Sequence, residues 1–242
     1  MAEIEWHTIV ELVTPYVVRI WTPQGSGTGF LVSVSKSRGL CAIATAAHVI
    51  AHANYWEEPL RVEHQASGKT LLLRQADRAI HVKEGQDTAA IVFEPGDLGL
   101  PADVLPLIDK NKHFKAGVEI GWLGYPAMPQ ASLCFFSGRI SSWIGIEDAY
   151  LVDGVAINGV SGGPAFTLWG GMLAGVVSAY IPNRNTGEVL PGLAVVRGVG
   201  QFHDIAESFR TIDEAKAGET PMTAPPPEPE GENQTRAGRG SA

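Results

Sequence analysis

The sequence predicts an all-β protein: two packed six-stranded antiparallel β-barrels with a short N-terminal helix, a C-terminal helix and a disordered tail. Three observations predict it. The 242 residues hold 28 glycines and 16 prolines scattered among short apolar runs, a pattern of strands and turns rather than long helices. Those runs are spread evenly on the two sides of a loop rich in proline, aspartate and lysine at 95–116. The 45% hydrophobic content is enough for one large or two modest cores.

In "EIEWHTIVELV" (3–13), Ile4, Ile9, Leu12 and Val13 fall near one helical face, and Pro15 ends the helix they predict. Strands follow at "YVVRIWT" (16–22), "TGFLVSV" (28–34), "LCAIATA" (40–46), "LRVEH" (60–64), "KTLLLRQA" (69–76) and "TAAIVFE" (88–94). Beyond the loop come "VEIGWLGY" (118–125), "ASLCFFSGRISSW" (131–143), "YLVDGVAI" (150–157), "PAFTLW" (164–169), "MLAGVVSAY" (172–180) and "GLAVVRG" (192–198). Turn signals such as "SRG", "ASG", "WGG" and "RNTG" separate many of them. Phe202, Ile205 and Phe209 make one stripe of a helix over 201–213, expected to lie on the second barrel. The proline-rich end cannot bury enough surface to offset its ordering entropy. The predicted division is 1–108 for the first helix and barrel, 109–213 for the second barrel and last helix, and 214–242 for the tail.

Composition narrows the function. A net charge of −8, with no basic stripe, argues against nucleic acid or an anionic membrane as partner. The first residues carry acids where a signal peptide needs positive charge, and no apolar stretch reaches the ~18–20 residues of a membrane helix. Cys41 and Cys134 do not make a disulfide framework and read as free thiols. A cytoplasmic location is the expectation. The histidines (His7, His48, His52, His64, His81, His113 and His203) show no H-E-x-x-H pattern, and the cysteines no Cys-x-x-Cys pair. No metal or other cofactor is therefore predicted. His52 reads as a surface or loop residue, and Trp122, Trp143 and Trp169 as strand residues of the core.

"GVSGGPAF" (159–166) surrounds one hydroxyl, Ser161, with small residues. That is either a tight turn or a nucleophile, and a nucleophilic serine needs an imidazole to take its proton. The imidazole in turn needs a carboxylate to set its tautomer, and the bend around the serine must aim backbone N–H groups at the developing oxyanion. His48 follows an apolar strand in "AIATAAHVI", and Asp87 opens the strand in "GQDTAAIVFE". Each alone reads as structural. Together, in the order His48, Asp87, Ser161, they place base and acid at strand ends in the first half and the hydroxyl in the second. A cleft between two barrels would join them.

At these residues the chain resembles the trypsin-like serine peptidases of the chymotrypsin fold, nearest the bacterial HtrA-type and glutamyl-endopeptidase-like branch. "GSGTGFLV" (25–32) resembles that branch's first-barrel hairpin, "TAAHVI" (45–50) its histidine motif and "DTAAIVFE" (87–94) its aspartate motif. "AGVEIGWLGYPAMPQASLCFFSGRIS" (116–141) is similar to the opening of its second barrel. "INGVSGGPAF" (157–166) resembles the serine motif, and "MLAGVVSAY" (172–180) the strand beside the substrate. The likeness spans about residues 15–200.

The resemblance implies a serine endopeptidase with His48 as general base, Asp87 as its orienter and Ser161 as nucleophile. It implies an oxyanion hole from the backbone N–H groups of Gly159 and Ser161. Asp77 and Asp97 are rival carboxylates, but only Asp87 is followed by "TAAIV". Val155, six residues before Ser161, would lie near the base of the specificity pocket, favouring small or medium apolar residues before the scissile bond. Val177, Ser178 and Ala179 would offer a strand edge to an extended protein or peptide substrate. Three features depart from the branch: Val160 stands where a polar residue is usual, "GYP" (124–126) replaces Gly-Asn-Pro, and no PDZ-like domain follows.

Two rivals remain. "GVSGG" also fits the nucleophile elbow of α/β-hydrolases, but that fold needs acid and histidine after the serine, and only His203 follows it. A catalytically inactive protein- or peptide-binding module on the same fold is the alternative function. The tail is either a plain end or a tether for an unknown partner.

Overall fold

The computed structural model describes residues 5–130, 132–182 and 189–218. Seven antiparallel strands build the first unit: β1 (Val17–Thr22), β2 (Gly25–Ser35), β3 (Leu40–Ala46), β4 (Leu60–His64), β5 (Lys69–Leu73), β6 (Arg78–Lys83) and β7 (Thr88–Phe93). Their order is β5-β4-β1-β2-β3-β7-β6, so β5 and β6 are unpaired edges and the sheet curls into a half-barrel. Six more close the second unit: β8 (Glu119–Gly124), β9 (Cys134–Ile144), β10 (Ala149–Asp153), β11 (Pro164–Phe166), β12 (Leu173–Pro182) and β13 (Val189–Gly198). These form a closed barrel in the order β10-β13-β12-β11-β8-β9.

The all-β, two-unit architecture is the one expected, with one added strand and an open first unit. The added strand is β6, whose residues are half-buried or exposed throughout, so it lacks the apolar run that marks its neighbours. The cores are where the sequence places its apolar runs: Ile20, Phe30, Leu31, Ile43, Leu60 and Ile91 are fully buried in the first unit, and Trp122, Tyr150 and Phe166 in the second. Trp169 departs from expectation. β11 stops at Phe166, leaving Trp169 in a turn and 58% exposed. Cys41 and Cys134 are free thiols, and burial pushes the Cys41 thiol up to about 12.

Three helices complete the chain: α1 (Trp6–Val13), α2 (Ala47–Tyr55) and α3 (Gly200–Gly218). The two end helices cross over. α1 precedes the first unit but packs on the second barrel, where Trp6 Nε1 donates to Glu119 at 2.8 Å and its ring meets Phe135 and Phe166. α3 leaves the second barrel but packs on β2, correcting the expectation that it lies on the barrel it follows. Phe202 and Phe209 are buried, and Phe202 meets Phe30 edge-on. Fully burying each ring is worth about 1.5–3 kcal/mol.

The Asp213 carboxylate accepts from the Ser35 hydroxyl (2.6 Å), the Ser37 hydroxyl (2.5 Å) and the backbone N–H groups of Lys36 and Ser37 (both 3.1 Å). Those bonds hold its pKa down to about 2, chiefly through the two hydroxyls. The helix runs on to Gly218, past the expected start of the tail at 214, and the rest of that tail lies outside the described residues. No helix among the described residues is long and apolar enough to cross a membrane.

Candidate active site

His48 stands on α2, a helix at a place where the sequence announces only the end of an apolar strand. The first turn of any helix has backbone N–H groups without intrahelical acceptors. Here the N-terminal residue Ala46 has no capping side chain, and Asp87 takes over from across the sheet. Its backbone carbonyl accepts from Ala47 N–H at 3.1 Å, and its carboxylate Oδ1 from His48 N–H at 2.9 Å. Asp87 does this at the mouth of β7 with φ of +48°, a left-handed conformation that aspartate tolerates better than most side chains. The same carboxylate then reaches the imidazole: Oδ2 lies 2.8 Å from His48 Nδ1. Backbone capping and ring orientation are thus one structural event.

Ser178, on β12 of the second barrel, adds a third bond, its hydroxyl donating to Asp87 Oδ2 at 2.5 Å. Burial works to raise the Asp87 pKa. The hydrogen bonds from the His48 ring and the Ser178 hydroxyl, the electrostatic pull of the nearby His48 and the His48 N–H outweigh it, and the carboxyl sits below its ordinary value. The rival carboxylates are engaged elsewhere. Asp77 accepts from Arg74 N–H at 2.9 Å, and Asp97 pairs with Lys69 at 3.1 Å.

Ser161 lies in the turn between β10 and β11 and lines the same cleft as His48, a cavity of about 280 Å³. Its hydroxyl donates to the Ser178 carbonyl at 3.1 Å rather than to His48. Ser178 thus touches both the nucleophile candidate and the acid. A larger cavity of about 660 Å³, near β5 and β6 and lined by Leu71, Leu72 and Leu73, holds neither His48 nor Ser161.

The turn's backbone is held in a way that determines where its donors point. In a trans peptide, C=O and N–H point in opposite directions. The Asn158 carbonyl accepts from Ala127 N–H at 2.7 Å, which turns the Gly159 N–H the other way. The Val160 carbonyl accepts from Gly163 N–H at 3.0 Å, which does the same for Ser161 N–H. Among the described residues neither N–H has an acceptor. Gly159 sits at φ of +90° pressed against Tyr125–Ala127, where a Cβ would collide with backbone. Val160, the departure from the branch's polar residue, is fully buried and packs against Gly124 of the "GYP" segment. An apolar pair therefore holds the loop.

The residues expected to bind substrate are placed unevenly. Val155 is 50% exposed. Val177 is buried, and its N–H and C=O are taken by Gly163 and Gly162 at 2.9 and 2.7 Å. The Ser178 side chain serves Asp87, leaving its carbonyl as the group facing Ser161. Ala179 pairs with Val195 through the backbone, and its side chain lies outside the described ones.

Sequence reading missed His52, which is on α2 one turn beyond His48, lines the cleft and holds Glu58 at 2.9 Å. The i, i+4 spacing of the two histidines was the available signal once 47–55 is taken as a helix. Among the described residues no group of three or more His, Cys, Asp or Glu side chains is placed to hold a metal ion.

A closed barrel beside a curled sheet, with a His–Asp pair facing a serine turn across the join, is the chymotrypsin fold. Solved structures agree on that fold. The chain is similar to the Rv3671c protease of M. tuberculosis in an inactive form, at 22% identity and a TM-score of 0.60 over 84% of this chain and 92% of that one. It is similar to a serine endoprotease from Yersinia pestis at 20% identity and TM-score 0.63, covering 86% of this chain and 68% of that one. Deg5 matches at 20% identity and TM-score 0.59, over 82% and 90% of the two chains. No family model and no curated protein sequence matches the chain.

Proposed function

We propose that this protein is a serine endopeptidase acting through His48, Asp87 and Ser161. The observation that carries the reading is the Asp87 carboxylate, which binds the ring at 2.8 Å and the N–H at 2.9 Å of His48, and His48 shares a cleft with Ser161. With Nδ1–H donated to Asp87, the His48 tautomer leaves Nε2 free to accept a proton. Ser161 turns its hydroxyl from the Ser178 carbonyl to His48, and Oγ attacks the substrate carbonyl as Nε2 takes the proton. The new oxyanion meets the Gly159 and Ser161 N–H groups. Collapse expels the amine, protonated by His48, and leaves an acyl-enzyme. Water, deprotonated by His48, then attacks the ester and restores Ser161.

The Ser178 carbonyl that Ser161 vacates becomes an acceptor for the substrate backbone. A small or medium apolar residue before the scissile bond suits Val155, which brings no charge to that side. The substrate class is an extended protein or peptide segment, paired to β12 beyond Val176, where its pairing with β11 ends.

One observation favours the alternative, a non-catalytic peptide-binding module: the Ser161 hydroxyl bonds Ser178 and not His48. Resting enzymes often show long or misaligned catalytic hydrogen bonds, so geometry alone does not decide. A fluorophosphonate probe does. It should label the wild type and leave Ser161→Ala unlabelled. A folded wild type that stays unlabelled would favour the binding module instead.

A further inference from the structure

Thr28, on β2 of the first unit, is fully buried and uses every hydrogen-bonding group it has on the active-site turn or its neighbours. Its hydroxyl donates to the Gly159 carbonyl at 2.8 Å and accepts from Tyr125 N–H at 2.9 Å. Its backbone N–H donates to the Ser161 carbonyl at 2.9 Å. Its own carbonyl accepts from the Thr45 hydroxyl at 2.7 Å, three residues before His48. One residue of the first sheet thus touches both oxyanion residues, the 125–127 segment that pins Asn158, and the strand leading to the base.

We propose that Thr28 is a positioning residue for the oxyanion hole, its hydroxyl fixing the Gly159 carbonyl, on the peptide next to the one that carries the Gly159 N–H, relative to the His48–Asp87 pair. This role rests on the endopeptidase reading. The hydroxyl has one proton and spends it on Gly159, while a lone pair takes Tyr125 N–H. Tyr125 leads into Ala127, whose N–H turns Asn158 and so aims Gly159 N–H at the cleft. Both ends of that bridge are buried, so deleting the hydroxyl leaves a carbonyl and an amide unpaired, and the loop shifts to satisfy them. The backbone bond to Ser161 survives any substitution, so the loss falls on Gly159 and not on the nucleophile.

The test compares Thr28→Val, which keeps the shape and loses the hydroxyl, with Thr28→Ser, which keeps the hydroxyl. In Thr28→Val, kcat should fall about 10- to 100-fold, the scale of a small misplacement of a catalytic group. KM should stay within about threefold, because a donor needed only in the transition state is lost. Affinity for a peptide boronate, whose tetrahedral adduct fills the oxyanion hole, should fall in step with kcat. Thr28→Ser should restore kcat to within about threefold of wild type. Thr28→Cys, with a weak donor of similar size, gives an intermediate value and serves if the valine variant does not fold. A wild-type kcat in folded Thr28→Val or Thr28→Cys overturns this role and leaves the endopeptidase standing, as does a loss confined to KM. A wild type that neither turns over peptides nor takes the fluorophosphonate label overturns the endopeptidase reading, and this role with it.

Discussion

Replacing Asp87 with asparagine tests the site at its most determined point. The carboxylate uses Oδ1 for the His48 N–H and Oδ2 for both the His48 ring and the Ser178 hydroxyl. An asparagine has one oxygen and one NH₂ to fill those two places. With the oxygen toward the backbone N–H, the NH₂ faces Nδ1 and donates to it, so the ring's proton moves to Nε2. With the amide flipped, NH₂ confronts the His48 N–H, donor against donor, and the helix start loses its cap. The first arrangement satisfies more groups and should prevail. It puts a proton on the nitrogen that, on the endopeptidase reading, must accept one from Ser161. A tautomer held wrongly in this way lowers kcat by about 10⁴. At 1.36 kcal/mol per tenfold that is about 5.4 kcal/mol of transition-state stabilisation. The assay is steady-state hydrolysis of a fluorogenic peptide, with folding checked by thermal melting and the tautomer read from ¹⁵N shifts of the imidazole. A folded variant within tenfold of wild type, or one whose His48 keeps its proton on Nδ1, would refute the reasoning.

Two further outcomes concern stability. Gly162 sits at φ of +89°, and a Cβ there would collide with the Thr28 carbonyl and the Thr45 hydroxyl, so Gly162→Ala should cost at least about 2 kcal/mol; an unchanged urea midpoint would contradict this. The folded Asp213 pKa, depressed to about 2, lies below its unfolded value of about 3.9, so its contribution is full above the unfolded value and is lost as pH falls through 2. The urea midpoint of Asp213→Asn should therefore lie below that of wild type at pH 7 and converge with it near pH 2, whereas a gap independent of pH would show that the charge is not what anchors α3.

Much of this was legible in the sequence. β2, β3 and β7 are apolar runs bounded by turn residues, and the β1–β2–β3 pairings follow chain order, whereas β3 pairs with β7 across three intervening strands. Asp87 was identifiable because β7 starts directly after it. What stayed hidden was set by contacts distant in sequence. β6 pairs with β7 through its backbone while its side chains face largely outward, so it carries no hydrophobic signature. α2 is capped by a residue 39 positions beyond His48, which no local motif announces. Ser178 reads as a strand residue facing substrate. Only the approach of the second barrel to Asp87, 91 positions away, turns its hydroxyl into a support for the acid. The destination of α3 rests on Asp213 finding Ser35 and Ser37, 178 and 176 positions earlier.

The exchanged end helices bear on how a substrate gains entry. Widening the groove by swinging the halves apart would have to strip Trp6 from Glu119 and Phe135, or pull Asp213 away from the β2–β3 turn. Each strap resists a separation the other also opposes, so the gap is preset rather than hinged. On the endopeptidase reading, a substrate would then have to arrive already unfolded or at an exposed loop, threading a slot that does not gape to admit it.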